Sequence, residues 1–145
     1  MRIVQTISLV LWAVGICLAL PQVAAAGAYD GSGPLICVPL AVTECGADGE
    51  CQKGAPQSVN LPQFFRVDFK AMTIRAVEEN RESAIKTVDH LNGNMILQGV
   101  QGQHGWTLII AEDTGQMAAT IAGATEGYII FGSCTLLSRG GGQGQ

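Results

Sequence analysis

Cys37, Cys45, Cys51 and Cys134 are the residues of this 145-residue sequence best equipped for chemistry. A thiolate can hold zinc, exchange disulfides or attack a carbonyl, and each use has its own spacing. Structural zinc sites place about two to four residues between paired cysteines and complete the set with a second pair or with histidines. The stretch "CGADGEC" puts five residues between Cys45 and Cys51, and no second pair follows. Dithiol oxidoreductases carry Cys-x-x-Cys at a helix start, which is absent here. Disulfides are the remaining use, and four cysteines allow three pairings. The expected arrangement joins Cys45 to Cys51, across a loop softened by Gly46 and Gly49, and Cys37 to Cys134. The competing arrangement joins Cys37 to Cys45 and Cys51 to Cys134.

Other catalytic constellations are weaker. His90 and His104 are the only histidines, and histidine is the natural base near neutral pH. His104 sits in the polar, glycine-flanked turn "QGQHGW" and reads as solvated; with Trp106 it forms a candidate binding surface. Ser83, Asp89 and His90 have the composition of a hydrolase triad, but no Gly-x-Ser-x-Gly elbow accompanies them. Glu112 and Asp113 are adjacent, and neighbours on an extended chain point to opposite sides, which is wrong for acid–base partnership. The acidic loop with Glu44, Asp48 and Glu50 lacks the EF-hand pattern. Met72, Met95 and Met117 each follow an aspartate turn (Asp68, Asp89, Asp113) and read as core fillers rather than a soft-metal site, with no histidine among them. Neither a Walker loop nor a dinucleotide fingerprint is present. The expectation is a protein with no catalytic, cofactor or metal site.

Strands must position whatever site exists. "GWTLIIA" alternates, with Trp106, Leu108 and Ile110 on one face. Its other face is also largely apolar, which predicts a central strand. Asn92-Gly93 is a strong hairpin signal. "FFRVDF", "MTIRAVE", "SAIKTVDH", "QMAATIA" and "GYIIFGSC" add short β-rich runs between turns. "IRAVEENRESAIK" reads as a strand entering an exposed charged turn, not as a helix. Residues 35–42 form a first strand, which Pro39 places at a sheet edge, and residues 43–63 read as a polar loop and irregular connector. The predicted fold is all-β, an antiparallel meander of about eight short strands closing as a small β-barrel or β-sandwich.

Arg2, an apolar run over residues 7–20, Pro21 and the small-residue patterns Ala24-Ala25-Ala26 and Ala26-Gly27-Ala28 predict a cleaved signal peptide, residues 1–28. The mature chain then begins between residues 27 and 29. The apolar run is shorter than the ~20 residues of a bilayer span, and the bulky Ile16 before Cys17 disfavours lipidation. The β domain is expected over residues 29–137, with a glycine-rich tail at 138–145. Removing Arg2 with the signal leaves seven basic and twelve acidic residues, a net charge of −5. That balance argues against nucleic acid, whose phosphates require clustered Lys and Arg, and against anionic lipid surfaces.

The combined run of "CVPLAVTECGADGECQ", "VNLPQFFRVDF", "ILQGVQGQHGWTLII", "DTGQMAATI" and "FGSCT" resembles a family of small exported proteobacterial proteins of unknown function. The resemblance implies that the four cysteines, Gly105-Trp106 and Phe131-Gly132 belong to a family pattern, and it brings no catalytic residue. The sequence thus predicts a periplasmic or secreted, disulfide-bonded β protein that is not an enzyme. It would bind an envelope protein partner or a small ligand. The alternatives are an envelope enzyme whose site joins His104, Trp106 and a carboxylate in one cleft, or an accessory subunit of an envelope complex with a broad apolar patch.

Overall fold

The computed structural model describes residues 28–137. The expected tail and the expected signal peptide, apart from Ala28, lie outside the described residues. Nine strands follow in order: β1 (Leu35–Gly46), β2 (Cys51–Gly54), β3 (Phe65–Asp68), β4 (Thr73–Ala76), β5 (Glu82–Leu91), β6 (Asn94–Gln101), β7 (His104–Ala111), β8 (Gln116–Ala122) and β9 (Glu126–Leu136). All pairings are antiparallel. The sheet runs β1-β3-β4-β5-β6-β7-β8-β9 and closes through a long β1–β9 seam, with β2 as an extra strand on β1. The fold is therefore an eight-stranded closed barrel with β2 added outside the ring.

Alternation explains the core. Leu35, Cys37, Val67, Ile85, Met95, Leu97, Leu108, Ile110, Met117, Ile130 and Cys134 point inward and are buried. Trp106, Leu108 and Ile110 share the inner face of β7 as the period of two requires. Between β5 and β6, Asn92 and Gly93 both adopt positive φ, 51° and 75°, the geometry of a two-residue hairpin turn that asparagine and glycine tolerate.

Two expectations need correction. Pro39 does not mark an edge. β1 extends to Gly46 and pairs with β9 along its length, while β3 meets residues 35–37 and β2 meets residues 42–45 on its other side. Pro39 falls in the interval between those two partners, where the β1–β9 register shifts between Pro39 and Ala41, so its missing N–H interrupts no ladder. The polar stretch after residue 42 is likewise not all loop. It forms the β1–β2 hairpin, in which Cys45 lies directly opposite Cys51. β7 is central, as its apolar second face predicted. It pairs with β6 and β8, and among the described residues no layer covers its outside, where Ile109 is 38% exposed.

The structure contains the disulfides Cys37–Cys134 and Cys45–Cys51, with Cα atoms 3.9 and 4.1 Å apart. The first lies inside the barrel and staples the closing seam, since Cys37 and Cys134 are register partners. Two disulfides fit an oxidising, extracytoplasmic environment.

The ends of the barrel differ. At one end residues 28–34 fold across the β3–β4, β5–β6 and β7–β8 turns. Tyr29 donates its N–H to the Glu112 carbonyl at 3.1 Å, and Tyr29 and Phe69 pack on the core. At the other end, where β5, β7 and β9 begin, the described residues leave an opening that Leu61 borders.

Candidate functional site at the open end of the barrel

The open end is shaped by one large–small pair. Trp106 on β7 faces Gly99 on β6. A Cβ at residue 99 would stand 2.2 Å from Trp106 Cζ2 and 2.5 Å from the Ala84 carbonyl oxygen, so only glycine lets the indole lie flat there. The indole is oriented by its own polar atom. Trp106 Nε1 donates to Ser83 Oγ at 2.8 Å, and the Ser83 hydroxyl donates to the Val100 carbonyl at 3.3 Å.

Beside the indole is a cavity of ≈120 Å³. Its floor is the top of the core, Leu108, Met117 and Ile130; Phe65, Ile74 and Ile121 form its sides. Leu61 supplies a further wall. It comes from the connector at residues 55–64, which makes a 3-10 turn at Pro56–Val59, buries Pro56 and reverses at Asn60 with φ of 58°. Ser83 and Gln101 are the polar residues of the lining, and no charged side chain belongs to it.

The acidic and aromatic groups of β1 and β9 lie at the same end. His104 Nε2 and Glu126 Oε1 are 2.7 Å apart. A hydrogen bond from the Thr125 hydroxyl, and next the His104 ring, hold the Glu126 carboxyl below its ordinary range. The Tyr128 hydroxyl donates to Glu44 Oε1 at 3.4 Å. Desolvation raises the Tyr128 pKa, and the neighbouring Glu44 and Glu126 carboxylates raise it further. These groups form a coupled cluster that opposes ionisation of the tyrosine.

Trp106, on the inner face of β7, is partly buried and is a wall of the cavity as well as a neighbour of the core. His104 reaches the same end two residues earlier, but it bonds Glu126 and is not part of the cavity lining. Ser83 and His90 separate to opposite ends of β5, about 23 Å apart at ~3.3 Å per residue, and His90 bonds Glu112 at the closed end. Met95 and Met117 are buried, whereas Met72 is 37% exposed in the β3–β4 turn. Leu61, Phe65 and Gln101 were not singled out from the sequence, and Ser83 was named there only as a triad candidate. The one local signal was Gly99 inside a strand, since such a glycine often marks close approach by another group.

Comparison with protein-family models and with curated proteins finds no match, so function has to be read from the geometry of this end of the barrel.

Proposed function

We propose that this chain is a periplasmic or secreted, non-catalytic binding protein that takes the apolar part of a small ligand into the open end of its barrel. The observation that carries this reading is the cavity itself: core side chains line an opening that the opposite end of the barrel closes with its own N-terminal segment. Covering apolar wall is favourable by about 25 cal/mol per Å², and small barrels characteristically hold one ligand at the mouth. A cavity of ≈120 Å³ suits a single ring or a short chain, given that a cavity of ~150 Å³ admits benzene.

Trp106 provides the test. Trp12 lies in the expected signal peptide, so exported protein has Trp106 as its single tryptophan. Titration with toluene or 1-hexanol should shift its emission saturably. Ala119→Phe, which fills the cavity from β8, should abolish the shift while leaving the circular dichroism spectrum unchanged. An absence of saturable change in the parent protein refutes the reading.

A second reading has one observation in its favour. Ile96, Ile109, Ala118 and Phe131 stand in register on the outer face of four adjacent strands, and Phe131 and Leu40 are 55% and 65% exposed. In that reading a second copy of the chain covers the row, as in an accessory subunit of an envelope assembly. A monomer in light scattering of the exported protein refutes it, and a dimer dissociated by Phe131→Ser supports it.

A further inference from the structure

We infer that the ligand of the open end is a small uncharged phenol, with its ring between Trp106 and Phe65 and its hydroxyl on the Gln101 amide. This rests on the small-ligand reading above and specifies it.

Two aromatic walls stand across the mouth from each other. β3 and β7 lie four places apart in the eight-stranded ring, so Phe65 and Trp106 rise from opposite sides of the barrel. Each is on the inner face: Phe65 is the register partner of buried Cys37, and Trp106 is two residues from buried Leu108. Both line the cavity of ≈120 Å³. The indole lies against Gly99 and is held by its hydrogen bond to Ser83 Oγ at 2.8 Å, so that wall is fixed before any guest arrives. A space of this size suits one six-membered ring, since ~150 Å³ admits benzene. Aromatic walls favour an aromatic guest, because ring pairs attract beyond what buried area alone provides.

The lining has two polar side chains, and one of them is unengaged. Ser83 receives the indole N–H and donates to the Val100 carbonyl. Gln101 lines the cavity and makes no side-chain hydrogen bond among the described residues. It follows Gly99 by two residues on β6, so it shares the inner face beside Trp106, one layer nearer the rim. Its amide is therefore next to the edge of a ring lying on the indole, with a carbonyl oxygen to accept a phenolic O–H and an NH2 to donate in return. Charge is disfavoured in such a guest. No charged side chain lines the cavity, so a charged group would lose its hydration there without compensation. Nearer the rim the inner face carries Glu44, the register partner of Tyr128, and Glu126, two residues before Tyr128. His104 is already bonded to Glu126, and this acidic rim repels anions. A phenol, with a pKa of about 10 like the tyrosine side chain, enters uncharged.

Binding of phenol, toluene, cyclohexanol, benzoate and benzylamine to exported protein at neutral pH, read by calorimetry and Trp106 emission, tests the inference. Toluene has the shape without the hydroxyl, and cyclohexanol has the hydroxyl without the aromatic ring. Phenol should bind at least as tightly as toluene, although water solvates it better. It should bind about tenfold tighter than cyclohexanol, benzoate or benzylamine. Gln101→Leu should weaken phenol about fivefold and leave toluene no weaker, and retained toluene binding also certifies that the variant is folded. Weaker binding of phenol than of toluene by the parent, or equal loss of both in Gln101→Leu, overturns the hydroxyl assignment. Cyclohexanol equal to phenol overturns the aromatic assignment, and benzoate or benzylamine equal to or tighter than phenol overturns the uncharged one. The cavity reading stands in each of these cases. Failure of phenol, toluene and cyclohexanol alike to bind the parent overturns the cavity reading itself, and this inference with it.

Discussion

Removing the Cys37–Cys134 disulfide by replacing both residues with alanine should cost this protein far more stability than removing Cys45–Cys51 in the same way. The bonds close loops of very different length, with sequence separations of 97 and 6. In the chain-entropy description, a cross-link restricts the unfolded state in proportion to the logarithm of the loop. The longer closure is worth ~4.7 kcal/mol and the shorter ~2.4 kcal/mol at 25 °C. The folded structure adds to the difference in the same direction. Cys37 and Cys134 are both buried in the core, where truncation leaves a cavity, whereas Cys51 is exposed on a strand whose residues all face solvent. A domain of this size has a total stability of roughly 5–15 kcal/mol, so the seam disulfide accounts for a large share of it. At about 4 °C per kcal/mol, Tm should fall by roughly 20 °C for the seam pair and about 10 °C for the hairpin pair. Urea denaturation followed by circular dichroism, with the parent and both double variants at one pH, measures this directly. Equal losses, or a larger loss for Cys45→Ala/Cys51→Ala, would refute the view that the β1–β9 seam is the pairing that most needs a covalent tie.

Gly99→Ala should destabilise by about 1–3 kcal/mol, as overpacking does, because the new methyl group collides with both Trp106 and the Ala84 carbonyl. Trp106 emission should move to longer wavelength as the indole leaves Ser83, and an unchanged spectrum and melting temperature would contradict the geometry of the pocket wall. Acid should weaken the fold through Asp30, Asp68 and Glu126, whose carboxyls are held below the ordinary range chiefly by the Ser32 side chain, the Ala71 N–H and the Thr125 hydroxyl respectively. The sign follows from their depressed folded-state values: the stabilisation is present above the unfolded-state pKa of each group and is lost as pH falls through the folded one. Melting temperatures should therefore drop below about pH 4. Glu126→Gln should flatten part of that dependence, and a Tm that rises on acidification would show the sign to be wrong.

Local physics made much of the scaffold legible in the sequence. Asn92-Gly93 has the backbone freedom that a tight hairpin needs, and the alternation in "GWTLIIA" grouped Trp106, Leu108 and Ile110 on one face of β7. Loop flexibility and sequence distance also favoured the cysteine pairing that the structure contains. Alternation says that a face is buried, however, and not what it is buried against. Whether the inward faces meet a second sheet or one another depends on the β1–β9 pairing, made between segments about as far apart as the described chain allows. That closure also gave Pro39 its place in a gap between two partners, a position no local rule distinguishes from an edge. The open end was the least legible part. Leu61 comes from a connector, Ser83 and Gln101 from the ends of strands, and each is unremarkable where it stands in the chain. Their convergence is fixed by barrel register and by the way residues 55–64 fold over the mouth, because a closed barrel brings strand ends from distant parts of the sequence onto one rim.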